Sequence, residues 1–231
     1  MSVFKFKKFN IIQERSAMKV GTDGVLLGSW VSCEKRNRIL DVGSGTGLIS
    51  LMVAQRNLDC KITGIEIDKD AFLESQLNVK NSNWKKRIKL YNVSLQKFTS
   101  KSKFDVVVSN PPFFPANKSK EKRDVARNTN SLSFKDLIHY STNLLSKNGV
   151  FCVIIPKKSQ EYICTIAKEY KLFYNRVCYV KGNKSSKVKR VLMEFSFIKS
   201  VFKKEHLVIE KSRHEYTDQY VHLCQKFYLN M

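Results

Sequence analysis

Asp41-Val-Gly43-Ser-Gly45-Thr-Gly47 stands between a short apolar run, Arg38 to Val42, and a helical pattern, Leu48 to Arg56. Glycine at alternate positions of a strand-to-helix turn lets the backbone pass close to a ligand, so this stretch calls for a strand that feeds a crossover helix. The rest of the chain continues the alternation. Further strands are predicted at Lys61 to Glu66, Ile88 to Asn92, Phe104 to Ser109, Gly149 to Ile155, Phe173 to Val180 and Val188 to Phe197. Helices are predicted at Leu48 to Arg56, Asp68 to Asn81, Phe134 to Leu145 and Lys157 to Tyr170, with Asp68 and Ser133 placed as N-caps. Five parallel strands followed by two that return directly give an α/β class: a doubly wound seven-stranded sheet, mostly parallel, with an antiparallel last strand at its edge. Residues 1–231 are expected to form a single domain, with residues 1–37 and 205–231 packed on it.

The glycine spacing is G-x-G-x-G, and Asp41 ends the first strand beside it. A carboxylate there suits a cationic ammonium or sulfonium and would repel a pyrophosphate. Glu66 ends the second strand, where an acid can accept both hydroxyls of a ribose. S-adenosyl-L-methionine therefore fits this turn better than a dinucleotide, with Asp41, Gly43, Gly45, Gly47 and Glu66 as the binding set.

The fourth strand runs straight into Asn110-Pro111-Pro112-Phe113 at the carboxyl edge, where open sheets place their ligands. Consecutive prolines stop the strand and stiffen its exit. An exocyclic amine on a purine is conjugated with its ring, so methylating it requires the nitrogen lone pair to be aimed at the methyl group. The Asn110 side-chain carbonyl and the Pro111 backbone carbonyl can each take one N–H, while Phe113 stacks on the flat base. Methylation at a pyrimidine C5 would instead need a cysteine nucleophile, commonly in a Pro-Cys pair, and no proline here precedes Cys.

Composition bears on the partner. Lys and Arg number 42 against 20 Asp and Glu, a net charge of +22, which favours a polyanion. Six cysteines form no C-x-x-C pair, and the four histidines sit at no zinc-binding spacing to them, so reduced core thiols and no metal are expected. The longest apolar run, Val150 to Ile155, is far short of a bilayer span, and the first nine residues hold no signal-peptide core. No membrane association is expected, the compartment is the cytoplasm, and no obligate protein partner is evident.

With these motifs in order, the chain resembles the bacterial enzymes that N6-methylate the adenine beside the anticodon of valine tRNA, within the class I, Rossmann-like methyltransferases. The likeness covers nearly the whole chain. Besides Asp41 to Gly47 and Asn110 to Phe114, it includes Met18 to Gly28, Ala126-Arg127 with Thr129, and a tail of Tyr216-Thr217, Tyr220, Leu223 and Phe227-Tyr228-Leu229. The resemblance implies a lid of Thr22, Asp23 and Gly24 over the methionine end of the donor. It also implies an acid for the donor's adenine amine at a position that Ser94 occupies here, and Tyr where this chain has Phe113.

The expected activity is thus S-adenosylmethionine-dependent N6-methylation of an adenine in tRNA, most simply adenine 37 of a valine tRNA. A loop nucleotide leaves its stack at little cost to enter such a pocket. Three readings compete: a guanine N2 in ribosomal RNA, a glutamine amide in a release factor, or a noncatalytic RNA-binding relic of the same fold. Expected RNA contacts are Lys118, Lys120, Lys122, Arg123 and Arg127 after the catalytic turn. A second set, Lys184, Lys187, Lys189 and Arg190, lies in the basic stretch between the last two strands.

Overall fold

A computed structural model describes residues 2–112 and 132–231 of the chain. Phe113, Lys118, Lys120, Lys122, Arg123 and Arg127 lie outside the described residues. An amino-terminal hairpin, β1 (Val3–Lys5) and β2 (Asn10–Ile12), precedes helix α1 (Thr22–Trp30). The alternating unit follows as β3 (Arg38–Val42), α2 (Leu48–Arg56), β4 (Lys61–Glu66), α3 (Lys69–Lys80), β5 (Ile88–Asn92) and β6 (Phe104–Ser109). After residue 131 come α4 (Phe134–Leu144), β7 (Leu145–Pro156), a short 3-10 turn (Lys157–Ser159), α5 (Gln160–Glu169), β8 (Phe173–Asn183) and β9 (Arg190–Ser196). The chain ends with β10 (Lys203–Ser212), β11 (Glu215–Tyr216) and α6 (Asp218–Cys224).

All seven expected sheet strands are present, and the α/β class holds. Among the described residues the main sheet has nine strands rather than seven, in the order β11-β10-β8-β9-β7-β6-β3-β4-β5. Strand β9 is antiparallel as expected, but it is interior, paired with β7 on one side and β8 on the other. Strand β9 is interior because β8 pairs on its outer side, and the edge lies farther out because β10 adds to β8 in parallel and β11 folds back on β10. Both expected caps form: the Asp68 side chain accepts from Ala71 N at 2.8 Å, and Ser133 Oγ accepts from Asp136 N at 3.0 Å.

Two cores flank the sheet. One gathers α1, α2, Phe6, Phe9, Tyr220 and Phe227 against Ile39, Ile62, Val106 and Ile154. The other lies under α4 and α5, around Phe104, Phe151 and Phe195. Helix α1 escapes sequence reading because every residue from Gly24 to Trp30 is buried, leaving no polar face and no helical periodicity to detect. It packs on α2 at Gly28, where an added Cβ would stand 2.7 Å from Met52 Sδ. The same carboxyl end of α1 is fixed by Arg176, whose guanidinium lies 4.0 Å over the Trp30 ring and bonds Glu205 on β10 at 2.8 Å.

The five parallel strands β3 to β7 direct their carboxyl ends to one edge, so the glycine turn, Glu66, Ser94 and Asn110 are delivered side by side. Segment 14–16 is strapped against this edge by Glu74 of α3. Its carboxylate accepts the backbone N–H groups of Glu14, Arg15 and Ser16 and the Ser16 hydroxyl. Burial works to raise the Glu74 carboxyl, yet these four donors outweigh it and hold the group below its ordinary value.

Candidate active site

Gly43, Gly45 and Gly47 have φ of 69°, 52° and 81°, the left-handed region that a Cβ disfavours. At Gly43 and Gly45 an added Cβ would meet nothing within 4 Å, so glycine is required there by backbone conformation and not by space. The turn is pinned to β4. Gly43 N and Ser44 N donate to Ile65 O at 2.9 and 3.0 Å, and Gly45 N donates to Glu66 Oε2 at 2.8 Å. Glu66 Oε1 takes Asp68 N at 2.9 Å, so one carboxylate ties the turn to the start of α3 and still has lone pairs for a ligand hydroxyl.

Two chambers open along the carboxyl edge and meet at Gly43, Gly45 and Asn110. The first, about 360 Å³, is lined by Glu66, Ile67, Ser94, Leu95, Asn110, Pro111 and Pro112, and closed on one side by Ser16 to Met18. The second, about 350 Å³, is lined by Thr22, Asp23, Gly24, Thr46 and Leu48. Glu66 and Ser94 therefore share one chamber, the expected lid residues line the other, and Asn110 reaches both. Asn110 follows β6, whose last residue is tied to β3 by Ser109 Oγ donating to Val42 O at 2.9 Å. Its Oδ1 is buried with no hydrogen-bond partner among the described residues. An orphaned buried acceptor costs about 1–3 kcal/mol, which is tolerable where a ligand donor completes it.

Asp41 is placed differently from expectation. It is fully buried and lines neither chamber. Its Oδ2 accepts Ser50 N at 3.1 Å and Ser50 Oγ at 2.7 Å on the first turns of α2, while Oδ1 has no partner among the described residues. Burial pushes its pKa up to about 7 despite the Ser50 bonds, with Glu66 adding to the rise. Through Ser50 the carboxylate supports the turn from behind.

Arg190 has a partner within the chain. Its Nε bonds Asp23 Oδ2 at 2.7 Å, so this cation joins the start of β9 to the first turn of α1. Lys184, Lys187 and Lys189 are exposed in the β8–β9 connection, which Asn183 shapes by accepting Ser186 N at 2.9 Å. Because Arg190 pairs with Pro156 at the end of β7, that connection lies on the same edge of the sheet as Asn110. Sequence reading missed Ser16, Ala17, Ile67 and Leu95 as chamber walls, and their residue types carry no signal of it. The six cysteines are free thiols, and burial raises Cys33 to about 11 and Cys178 to about 12, as suits packing groups and not nucleophiles.

Comparison with known proteins agrees with this geometry. The family model described as methyltransferase small domain matches residues 16–178. The chain is 42% identical to the tRNA1(Val) (adenine(37)-N6)-methyltransferase of Flavobacterium psychrophilum, over 99% of this chain and 100% of that protein. It is 41% identical to the protein of the same name from Bacteroides thetaiotaomicron, over 99% of this chain and 98% of that one. Among solved structures, one described as a predicted O-methyltransferase from Agrobacterium tumefaciens superposes with a TM-score of 0.69 at 18% identity, covering 89% of this chain and 96% of that one. That likeness speaks for the fold alone.

Proposed function

Because this chain belongs to the tRNA1(Val) (adenine(37)-N6)-methyltransferase family, within the methyltransferases of the small-domain type, we propose that it methylates N6 of adenine 37 in a valine tRNA. The observation that carries the reading is Asn110: an amide with an unpartnered buried oxygen, at the junction of two chambers, leading into a stiff Pro-Pro exit. S-adenosyl-L-methionine, the methyl donor of this class, supplies an electrophilic methyl on a sulfonium. The residues present suit it: Glu66 offers acceptors for ribose hydroxyls, Ser94 an acceptor for the adenine amine, and Thr22 to Gly24 a wall for the methionine end.

The protein's part in the reaction is positional. Asn110 Oδ1 accepts one N6–H of the target adenine and the Pro111 carbonyl accepts the other, which turns the nitrogen lone pair out of conjugation. No strong base is needed, since the methylated ammonium product is acidic. Phe113 supplies the stacking surface, and Asp41 supports the glycine turn through Ser50. Such an enzyme works in the cytoplasm, where its tRNA is found. Among the described residues no helix is long and apolar enough to cross a membrane. Incubating the protein with the donor and a valine tRNA transcript, followed by nucleoside mass spectrometry, is expected to show N6-methyladenosine. A methylated guanine, or an unmethylated tRNA, overturns the assignment.

Glu66→Ala removes the acceptor of Gly45 N and Asp68 N together with the proposed ribose contact, so calorimetric donor affinity should fall about 10- to 100-fold. Unchanged affinity would exclude Glu66 from the site. Lys184, Lys187 and Lys189 are proposed to follow the RNA backbone. Changing all three to Gln should reduce the dependence of tRNA affinity on salt by roughly one unit of slope for each phosphate that is no longer neutralised, and leave donor binding alone. Lysine accumulated without function would leave that slope intact.

A further inference from the structure

A doubly wound sheet is normally covered on both faces, because each crossover carries a helix. Here the connection from β5 to β6, residues 93–103, contains no helix. Helices α2 and α3 both pack on the opposite face of β4 and β5, against Ile62, Ile88 and Leu90. The other face of these two strands is consequently bare over its amino-terminal half. Alternation puts Lys61 and Thr63 of β4 and Lys89 and Tyr91 of β5 on it, and all four line a groove of about 780 Å³.

The chemistry of that groove is one-sided. Arg38, Lys61, Lys86, Lys89 and Lys97 contribute positive charge, and no acidic side chain lines it among the described residues. Arg87 also borders it, but its guanidinium is spent on the carbonyls of Ala54, Asn57 and Cys60 at 2.7 to 3.0 Å. Arg38 is partly committed as well, with Nε on Lys103 O at 3.2 Å and its guanidinium 5.1 Å over the Phe104 ring. The ammonium groups of Lys61, Lys86, Lys89 and Lys97 have no hydrogen-bond or ion-pair partner among the described residues. Tyr91, 46% exposed, presents an aromatic surface between them, 6.0 Å from the Phe98 ring.

The groove also borders the active site. It follows β5 to Asn92 and Val93, and Val93 lines the first chamber too. Its outer wall on β5 is three strand spacings from β6, which leads into Asn110, roughly 15 Å measured across the sheet. A basic channel with an exposed ring, running away from a pocket that takes a single nucleotide, matches the backbone that continues from that nucleotide.

We propose that this groove is a second RNA-binding site, which holds phosphates of the same tRNA whose target base is presented at Asn110; the proposal rests on the tRNA reading above. It lies on the β4–β5 side of the catalytic turn, and the β8–β9 connection lies on the other, so the substrate is gripped on both flanks of the pocket. Backbone contacts of this kind fix register without reading sequence, which leaves base selection to the pocket.

The test compares two variants of equal charge change. One carries K61Q, K86Q, K89Q and K97Q; the control carries K35Q, K147Q, K168Q and K171Q, four exposed lysines outside the groove. A valine tRNA transcript is titrated against each at several salt concentrations. The groove variant is expected to bind about tenfold or more weakly, with the salt slope reduced by roughly one for each phosphate set free, while the control follows the unmodified protein. An unchanged slope in the groove variant, or an equal weakening in both variants, overturns the proposal. Methyl transfer to tRNA by the unmodified protein is measured separately. A failure there removes the reading of its chemistry, whereas the salt slope alone judges the groove.

Discussion

Asn110→Ala should lower kcat by on the order of 10²- to 10³-fold while leaving donor affinity nearly unchanged, as expected when a group that aligns reacting atoms is removed. Among the described residues its Oδ1 makes no structural bond that the variant would break. Removing a buried acceptor that is unsatisfied without substrate should, if anything, raise stability by about 1 kcal/mol. The variant is thus expected to be as stable as the unmodified protein or more so, and almost inactive. Asn110→Asp keeps an acceptor in place and should recover part of the rate. Thermal unfolding and single-turnover methylation together check this. Normal turnover by Asn110→Ala would refute the alignment mechanism, and a large loss of stability would show that the amide is a packing group.

How far the site could be read in advance depended on how local its signals were. Helix α2 occupies the predicted Leu48–Arg56, and Asp68 and Ser133 cap as predicted, because caps and periodicity act within a few residues. The glycine turn and Glu66 were legible for the same reason: strand ends and left-handed glycines are local. The ion pair of Arg190 was not, since its partner Asp23 is 167 residues away. Strand β10 was hidden because Leu207 is its one buried residue, and its parallel pairing with β8 leaves no hairpin signature in sequence. The bare face of β4 and β5 was written in plain alternation, Lys61-Ile62-Thr63 and Ile88-Lys89-Leu90-Tyr91. It gains meaning only once the missing crossover helix shows that no helix covers it.

Asp41 shows the same limit in an electrostatic form, and its expected signature is a pH dependence. In the unfolded chain this carboxyl ionises near pH 4. In the folded protein burial pushes it up to about 7. Between those values the unfolded chain has released the proton and the native state has kept it, so this group's contribution to stability is full below about pH 4, falls as pH rises, and is gone above about pH 7. A difference of about three pKa units corresponds to roughly 4 kcal/mol across that window. Asp41→Asn cannot ionise, and its Oδ1 can still accept Ser50 N and Oγ, so the variant should lack this fall. Glu34, Glu74 and Glu205 are held low and act in the opposite direction, gaining stability as they ionise at acid pH. Their effect is common to both proteins and cancels when the variant is compared with the unmodified chain. Urea unfolding at pH 4.5 and 7.5 should therefore show Asp41→Asn more stable relative to the unmodified protein at the higher pH. Equal differences at the two values would mean that the carboxyl titrates normally and is open to water. The sealed geometry makes a second demand on the same variant: a carboxylate that acts through Ser50 should change the pH slope of stability more than it changes the affinity for the donor.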